Sequence, residues 1–106
     1  MNNNIFSAYG VDKVEEFDWW FWGNLEQYKA LQDCIAIYGK EAKKKFSLRT
    51  VLEMLRAGLD IRWRHLDVKF NNDFIPMIQR RLEFDRPELS EYLTSIRNTH
   101  KKAVLQ

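Results

Sequence analysis

The stretch of sequence that decides the fold runs from Phe46 to Arg97 and reads FSLRTVLEMLRAGLDIRWRHLDVKFNNDFIPMIQRRLEFDRPELSEYLTSIR. It opens with a helix signature, because Ser47 is a good N-cap and apolar residues follow it at helical spacing. Those apolar residues are Val51, Leu52, Leu55 and Leu59. The start of the stretch therefore predicts a helix that buries one apolar face.

Residues 61–70 change from a helical period to a period of two. Leu66, Val68 and Phe70 alternate with Asp67 and Lys69. Such alternation predicts a short strand or an extended arm.

Two more helices follow. Asn71, Asn72 and Asp73 have side chains that cap helices, and Pro76 fits only in a first turn, so a helix is predicted to begin near Asp73. Pro87 then starts a final helix. Their predicted inward residues are Phe74, Met77, Ile78, Arg81, Leu82, Leu89, Tyr92, Leu93 and Ile96.

The amino-terminal part predicts two helices. Asp12 with Glu15 resembles a capping box, and Asn24 with Gln27 resembles a second one. Gly23 and Gly39 are the predicted helix ends. The predicted inward stripes are Val14, Phe17 and Phe21 in the first helix, and Leu25, Tyr28, Leu31, Ile35 and Tyr38 in the second.

The predicted fold class is therefore all-α: a compact bundle of about five helices, with a short extended segment near residues 61–70. An arrangement like a helix-turn-helix is left open, although the predicted connection is long for that motif, which uses a turn of about three or four residues. We expect a flexible N-terminus over residues 1–10, a single helical domain over residues 11–97 and a frayed tail over residues 98–106.

Composition narrows the class of protein. The chain has 106 residues and one cysteine, Cys34, so an internal disulfide is excluded. Cys34 falls on the apolar stripe of the second helix, which favours a core position over a reactive thiol. There is no apolar run of the roughly 20 residues that a membrane-spanning helix needs, and the N-terminus does not resemble a signal peptide. We therefore expect a cytoplasmic protein that does not enter the membrane.

Charge is distributed unevenly. Residues 1–39 carry two basic and six acidic side chains, a net charge of −4, whereas residues 40–106 carry 15 basic and nine acidic side chains, a net charge of +6. The candidate phosphate contacts are Lys43, Lys44, Lys45, Arg49, Arg62, Arg64 and Lys69, with Trp63 placed to stack on a base. The alternative is that the lysine run only improves solubility and interacts favourably with the dipole at the end of a helix.

Three polar residues are candidates for base contact. Asn71 and Asn72 could bind adenine and Arg80 guanine if the helix that follows them entered a groove. The alternative is that the asparagines only cap that helix, and that Arg81 on its inner face forms a structural ion pair.

The aromatic run Trp19-Trp20-Phe21-Trp22 covers most of a helix circumference, since successive residues turn by about 100°. One small core cannot bury all four rings. Trp19, Trp20 and Trp22 are therefore candidates for a partner or homodimer interface. The alternative is a helix enclosed by its neighbours.

Residues typical of catalysis are not arranged in any known motif. His65 and His100 have no metal-ligand spacing with Cys34, and no glycine-rich phosphate loop or nucleophile elbow occurs. We expect no enzyme activity, no metal and no cofactor.

Parts of the stretch resemble a family of small, functionally uncharacterised proteins of bacteria and prophages. The resemblance is carried by Phe46-Ser47, Val51–Arg56, Val68–Phe74, Arg80-Arg81-Leu82, Pro87-Glu88-Leu89 and Arg97. The chain departs from the pattern at Ala57, where an aromatic is usual, at Pro76, and at Leu93, which replaces a phenylalanine. The resemblance implies a prophage setting and carries no activity, so it assigns no functional residue.

Two hypotheses follow from the sequence. The first is a small phage or prophage DNA-binding or other nucleic-acid-binding protein that uses its basic helical surface. The second is a protein–protein interaction module. An example would be a phage-encoded inhibitor or adaptor that acts on a host machine such as a defence system. Here the tryptophan run would be the anchor.

Overall fold

The predicted all-α bundle is confirmed. The structure is a computed structural model and describes residues 10–95, apart from the side chain of Val11. Within this range there are five α-helices: α1 (Val11–Gly23), α2 (Leu25–Glu41), α3 (Leu48–Ala57), α4 (Ile75–Asp85) and α5 (Pro87–Ser90). Two 3-10 turns, Ile61–Trp63 and Asn72–Phe74, interrupt the connection between α3 and α4. The predictions for residues 1–9, for Ile96 and for the tail 98–106 lie outside the described residues.

The apolar stripes form one core, as their spacing predicted. All the predicted inward residues of α1 are buried, and α2, α3 and α4 contribute most of theirs. Cys34 is fully buried, and burial raises the pKa of its thiol to about 12. Leu25 and Leu59 are the exceptions. Leu59 is 69% exposed because Gly58, in the left-handed conformation at φ +67°, turns the chain out of the helix just before it.

The predicted caps have mixed outcomes. The Ser47 side chain accepts a hydrogen bond from the backbone N–H of Thr50, which confirms it as the N-cap of α3. The Asp12 cap was wrong, because the N-cap is Gly10, two residues earlier, and Asp12 lies in the first turn of the helix. Asn24 occupies the N-cap position of α2, but its amide donates to the carbonyl of Trp20 instead.

Gly39 does not end α2, which continues to Glu41. A Cβ atom at residue 39 would lie 2.4 Å from Cγ and from Cδ2 of the Tyr92 ring. The glycine is therefore needed for the close approach of a ring and not for a helix end. The sequence prediction missed this because the ring comes from the far end of the chain.

Residues 61–70 were predicted to form a short strand or an extended arm, and the described structure has no strand there. Residues 61–63 form a 3-10 turn, and residues 67–70 have no regular structure. The alternation itself is real, since Val68 is buried, Leu66 and Phe70 pack against the core, and Asp67 and Lys69 are exposed.

A side chain takes the place of a neighbouring strand at Lys69. The buried Gln27 accepts a hydrogen bond from the Lys69 N–H at 2.9 Å and donates to the Lys69 carbonyl at 3.0 Å. Trp20 Nε1 donates to the same carbonyl at 3.0 Å. These contacts satisfy the peptide groups that a strand partner would otherwise bind, so the segment lies against α1 and α2 without a sheet.

The connection between α3 and α4, residues 58–74, is unlike the short turn of a helix-turn-helix. The bundle closes elsewhere, through a parallel bridge between Phe46 and Leu93. Phe46 donates to the carbonyl of Tyr92 at 3.1 Å and accepts from the N–H of Thr94 at 2.9 Å. These bonds fix the backbone on both sides of Leu93 beside the loop that joins α2 to α3.

Candidate functional site

Arg62, a predicted phosphate contact, is bound within the protein. Its Nε and Nη2 atoms lie 3.0 and 2.7 Å from the two carboxylate oxygens of Asp60, which also accepts a hydrogen bond from the Tyr38 hydroxyl. The Arg62 guanidinium holds the pKa of Asp60 well below its ordinary value, and the bond to Asp60 raises the pKa of Tyr38. Trp63 lies under the Arg62 guanidinium and is only 8% exposed, so its ring is not free to stack on a base.

Three more of the predicted basic or base-contacting residues have partners. Lys69 lies 3.3 Å from Asp67, and Arg80 lies 3.1 Å from Glu83. Arg64 donates from Nε to the Gly58 carbonyl at 3.0 Å, at the C-terminal end of α3.

The predicted basic residues do not all converge. The Lys69 backbone is held by Gln27 in the first turn of α2, whereas Lys43, Lys44 and Lys45 follow the last residue of that helix, Glu41. At about 1.5 Å per residue, these two positions are about 21 Å apart along α2. Lys69 therefore lies far from Lys43–Lys45, and Arg62 is bound by Asp60, so the seven cations do not act as one cluster of free charges.

Lys43, Lys44, Lys45 and Arg49 are exposed and form no ion pair with the described part of the chain. The three lysines line a concavity of about 210 Å³ that also contains Tyr92 and Glu91. The lysines follow the C-terminal end of α2, where the helix dipole favours cations and disfavours a bound anion.

The candidate base contacts are largely occupied. Asn71 accepts a hydrogen bond from the Asp73 N–H and so caps the second 3-10 turn, not the helix that the alternative interpretation named, because α4 begins at Ile75 without a side-chain cap. Asn72 lies exposed within that turn. The structural ion pair expected of Arg81 is confirmed, since its Nε lies 2.7 Å from Asp85.

The aromatic run divides into buried and exposed rings. Phe21 is 1% exposed, and Trp20 is half-buried against Phe17 and Phe74 with its N–H bound to Lys69. Trp19 is 86% exposed and Trp22 is 52% exposed. Of the three predicted interface tryptophans, the structure therefore presents Trp19 and Trp22 to a partner, and Trp20 mainly holds the fold together.

The exposed tryptophans lie among carboxylates. Glu15, Asp18, Trp19 and Trp22 follow the spacing i, i+3, i+4, i+7, which places them on one side of α1. Together with Asp12 and Glu16 they form what we call the acidic-aromatic face.

Two concavities open on the acidic-aromatic face, one of about 540 Å³ and one of about 620 Å³. Trp19 and Glu15 line both. The first concavity is completed by Asp18, Trp22 and Gly23, and the second by Asp12, Glu16 and Phe74.

The negative charge of this face is poorly compensated. The one basic side chain of α1, Lys13, lies 3.2 Å from Asp73 and 3.7 Å from Glu16. Asp12, Glu15 and Asp18 form no ion pair with the residues that the structure describes. Asp18 Oδ1 is also inaccessible to solvent and has no hydrogen-bond donor. A cation brought to this face would therefore meet the exposed carboxylates of Asp12 and Glu15, which have no competing cation in the described structure.

Trp22 is contacted by Phe21 of α1 and, at a longer distance, by Arg81 of α4. Its ring packs edge-on against Phe21 with centroids 5.3 Å apart, and the Arg81 guanidinium lies 6.0 Å from its centroid. Arg81 is itself fixed by Asp85, whose Oδ2 also accepts a hydrogen bond from the hydroxyl of Tyr28 at 2.9 Å. The ring is therefore supported before any partner arrives, which lowers the ordering cost of binding. The sequence indicated the Arg81 ion pair but not that it lies beneath Trp22.

Comparisons with protein-family models, curated proteins and solved structures found no match to this chain. The resemblance to prophage proteins therefore stays a prediction. Over residues 10–95, no helix combines the length and the apolar character needed to cross a membrane. In the same range, no group of three or more His, Cys, Asp or Glu side chains is arranged to hold a metal ion.

Proposed function

We propose that this chain is a non-enzymatic protein-binding module whose acidic-aromatic face takes a basic segment of another protein. The observation that carries the proposal is the exposure of Trp19, which is 86% accessible on a helix face rich in carboxylates. Large aromatic side chains, tryptophan above all, supply much of the binding energy at protein interfaces. A ring left this exposed is available for such burial.

Charge selects the kind of partner. Asp12, Glu15 and Asp18 would repel an acidic protein and the anionic headgroups of a membrane, and would attract lysine and arginine side chains. Indole faces also attract cations, with tryptophan the best of the aromatic residues. The carboxylates and the rings of this face therefore favour the same class of ligand.

The resemblance to prophage proteins supports placing this module at the encounter between a phage and its host. An inhibitor or adaptor that binds a host protein needs a recognition surface and no catalytic machinery. The acidic-aromatic face would supply that surface.

A binding assay with defined peptides tests the proposal. A lysine- and arginine-rich peptide without aromatic residues is titrated into the protein, and binding is followed by isothermal titration calorimetry, which does not depend on Trp19 as a reporter. We expect saturable binding that weakens with salt and that is lost in Trp19→Ala. Ile61→Ala is the matched control, since Ile61 is also exposed, at 76%, but lies outside α1. Equal binding by both variants would contradict the proposal, as would equal binding of an acidic peptide.

Nucleic-acid binding is a second candidate function, supported by one observation. Lys43, Lys44, Lys45 and Arg49 are exposed cations without a carboxylate partner in the described range. Phosphates could bind there, with an affinity that falls as salt rises.

The triple variant Lys43→Ala/Lys44→Ala/Lys45→Ala tests this second candidate. It should weaken oligonucleotide binding for every sequence and flatten the salt dependence, by about 0.9 in logarithmic slope for each lost phosphate contact. Retention of DNA and RNA binding by the variant would exclude this surface. The peptide assay should not change, because these lysines lie outside the acidic-aromatic face.

A further inference from the structure

We infer that Trp19 separates two cation sites, so that the basic segment presents two lysine or arginine side chains, one on each side of the indole ring. This inference rests on the proposed function and specifies its ligand. Trp19 and Glu15 line both concavities of the acidic-aromatic face, so the ring and one carboxylate are shared between the two sites.

The first site lies between Trp19 and Trp22. It offers a cation two indole rings, one of them held by Phe21 and Arg81, and the carboxylates of Glu15 and Asp18. Glu15 and Asp18 form no ion pair with the residues that the structure describes, whereas Glu16, on the other side of Trp19, is paired with Lys13. This site is expected to bind its cation more strongly than the other.

The second site lies on the other side of Trp19. It offers one indole ring and the carboxylates of Asp12, Glu15 and Glu16. Lys13 forms ion pairs with Glu16, at 3.7 Å, and with Asp73. Its positive charge partly offsets the attraction of this site for a cation. A cation in this site adds affinity but would not hold the segment by itself.

The thickness of the ring sets the spacing of the two cations. Non-bonded contact across each face of an indole takes about 3.5–4 Å, so cations on its two sides lie about 7 Å apart. In an extended peptide, side chains at i and i+2 point the same way and are separated by about 7 Å, whereas side chains at i and i+1 point to opposite sides. The preferred ligand is therefore an extended segment with basic residues at i and i+2.

Three peptides of equal length test the spacing. One carries arginines at i and i+2, one carries arginines at i and i+1 with the same composition, and one carries a single arginine. A cation–π contact at an exposed site corresponds to about 2- to 5-fold in affinity. The i, i+2 peptide should therefore bind at least about threefold more tightly than the i, i+1 peptide. Both should exceed the single-arginine peptide.

Single carboxylate variants assign the two sites. Asp18→Asn should weaken the single-arginine peptide and the i, i+2 peptide alike, because both use the first site. Asp12→Asn should weaken only the i, i+2 peptide, by about 2- to 4-fold. Glu41→Gln, a change at an exposed carboxylate beyond the face, is the control and should weaken neither. Circular dichroism confirms that each variant keeps its helices.

The outcomes separate the two-site inference from the proposed function. Equal affinity for the i, i+2 and i, i+1 peptides, with loss in Trp19→Ala, would overturn the two-site inference and leave the binding module intact. Binding of all three peptides that is indifferent to Trp19 would overturn both. Salt-sensitive self-association that disappears in the Lys43–Lys45 alanine variant would identify the occupant as a second copy of the chain and overturn the external partner.

Discussion

Gly39→Ala tests whether a helix glycine is retained for tertiary contact. Replacing a glycine inside a helix with alanine ordinarily stabilises a protein by about 0.5–1 kcal/mol, because alanine loses less backbone freedom on folding. Gly39 lies inside α2, so this gain applies. Here, however, the new Cβ would approach three carbon atoms of the Tyr92 ring at 2.4, 2.4 and 2.8 Å.

The ring cannot easily move away. The Tyr92 atoms that the new Cβ would contact include Cγ, which lies close to the backbone and moves little when the ring rotates. The Tyr92 backbone is also fixed, because its carbonyl accepts a hydrogen bond of 3.1 Å from the N–H of Phe46. Overpacking of this kind costs about 1–3 kcal/mol, and a contact this short belongs to the upper half of that range. After the helix gain is subtracted, Gly39→Ala should lower the free energy of unfolding by about 1–2 kcal/mol, or the melting temperature by about 5–15 °C.

A double-mutant cycle measured by urea denaturation checks the cause. In a Tyr92→Ala background the ring is absent, so Gly39→Ala should stabilise the protein by about 0.5–1 kcal/mol, a change of sign. Gly23→Ala is the matched control, because no atom lies within 4 Å of its added Cβ, and it should not destabilise the protein. A stabilising Gly39→Ala with Tyr92 present, or a coupling below about 0.5 kcal/mol, would refute the reasoning.

Three further outcomes are expected. Because Arg62 lowers the folded-state pKa of Asp60 below the ordinary 3.8, the carboxylate stabilises the fold above that value and the contribution is lost as pH falls below it. Asp60→Asn should therefore flatten the acid limb of a stability–pH curve, and an unchanged limb would argue against the pair. Gln27→Leu leaves the Lys69 N–H without its partner and should cost about 1–3 kcal/mol by urea denaturation, whereas a neutral result would show that water replaces the amide. Cys34 should react with a thiol reagent far more slowly in the native protein than after unfolding, since it is buried and its pKa is raised to about 12; equal rates would contradict its place in the core.

The aromatic and the basic candidate residues differ in how well the sequence predicted their positions in the structure. The crowding of four aromatics on one helix predicted that some rings must face outward, and Trp19 and Trp22 do. Trp20 is the half-buried ring because of Phe74 and the Lys69 carbonyl, which lie far away in the sequence. Local spacing alone cannot rank three neighbouring tryptophans.

The basic residues show the opposite case. Their clustering between residues 40 and 69 was evident from the sequence, but residues close in the sequence were not all neighbours in the fold. Arg62 turned toward Asp60, and Lys69 was carried to the opposite end of α2 from Lys43–Lys45. Charges interact through space and not along the chain. A count of basic residues in the sequence therefore overestimates the positive charge of any one surface when the fold places those residues apart.

The sequence by itself determined the number of helices, most of their inward stripes and the cap at Ser47, because periodicity and capping depend on residues within one or two turns. Only the tertiary structure decided the conformation of residues 61–70, where the Gln27 amide binds Lys69 and makes a strand partner unnecessary. It also decided the role of Gly39, which is set by the Tyr92 ring, and the support of Trp22 by Arg81. Each of these depends on a contact between residues distant in the chain, and no local pattern encodes such a contact.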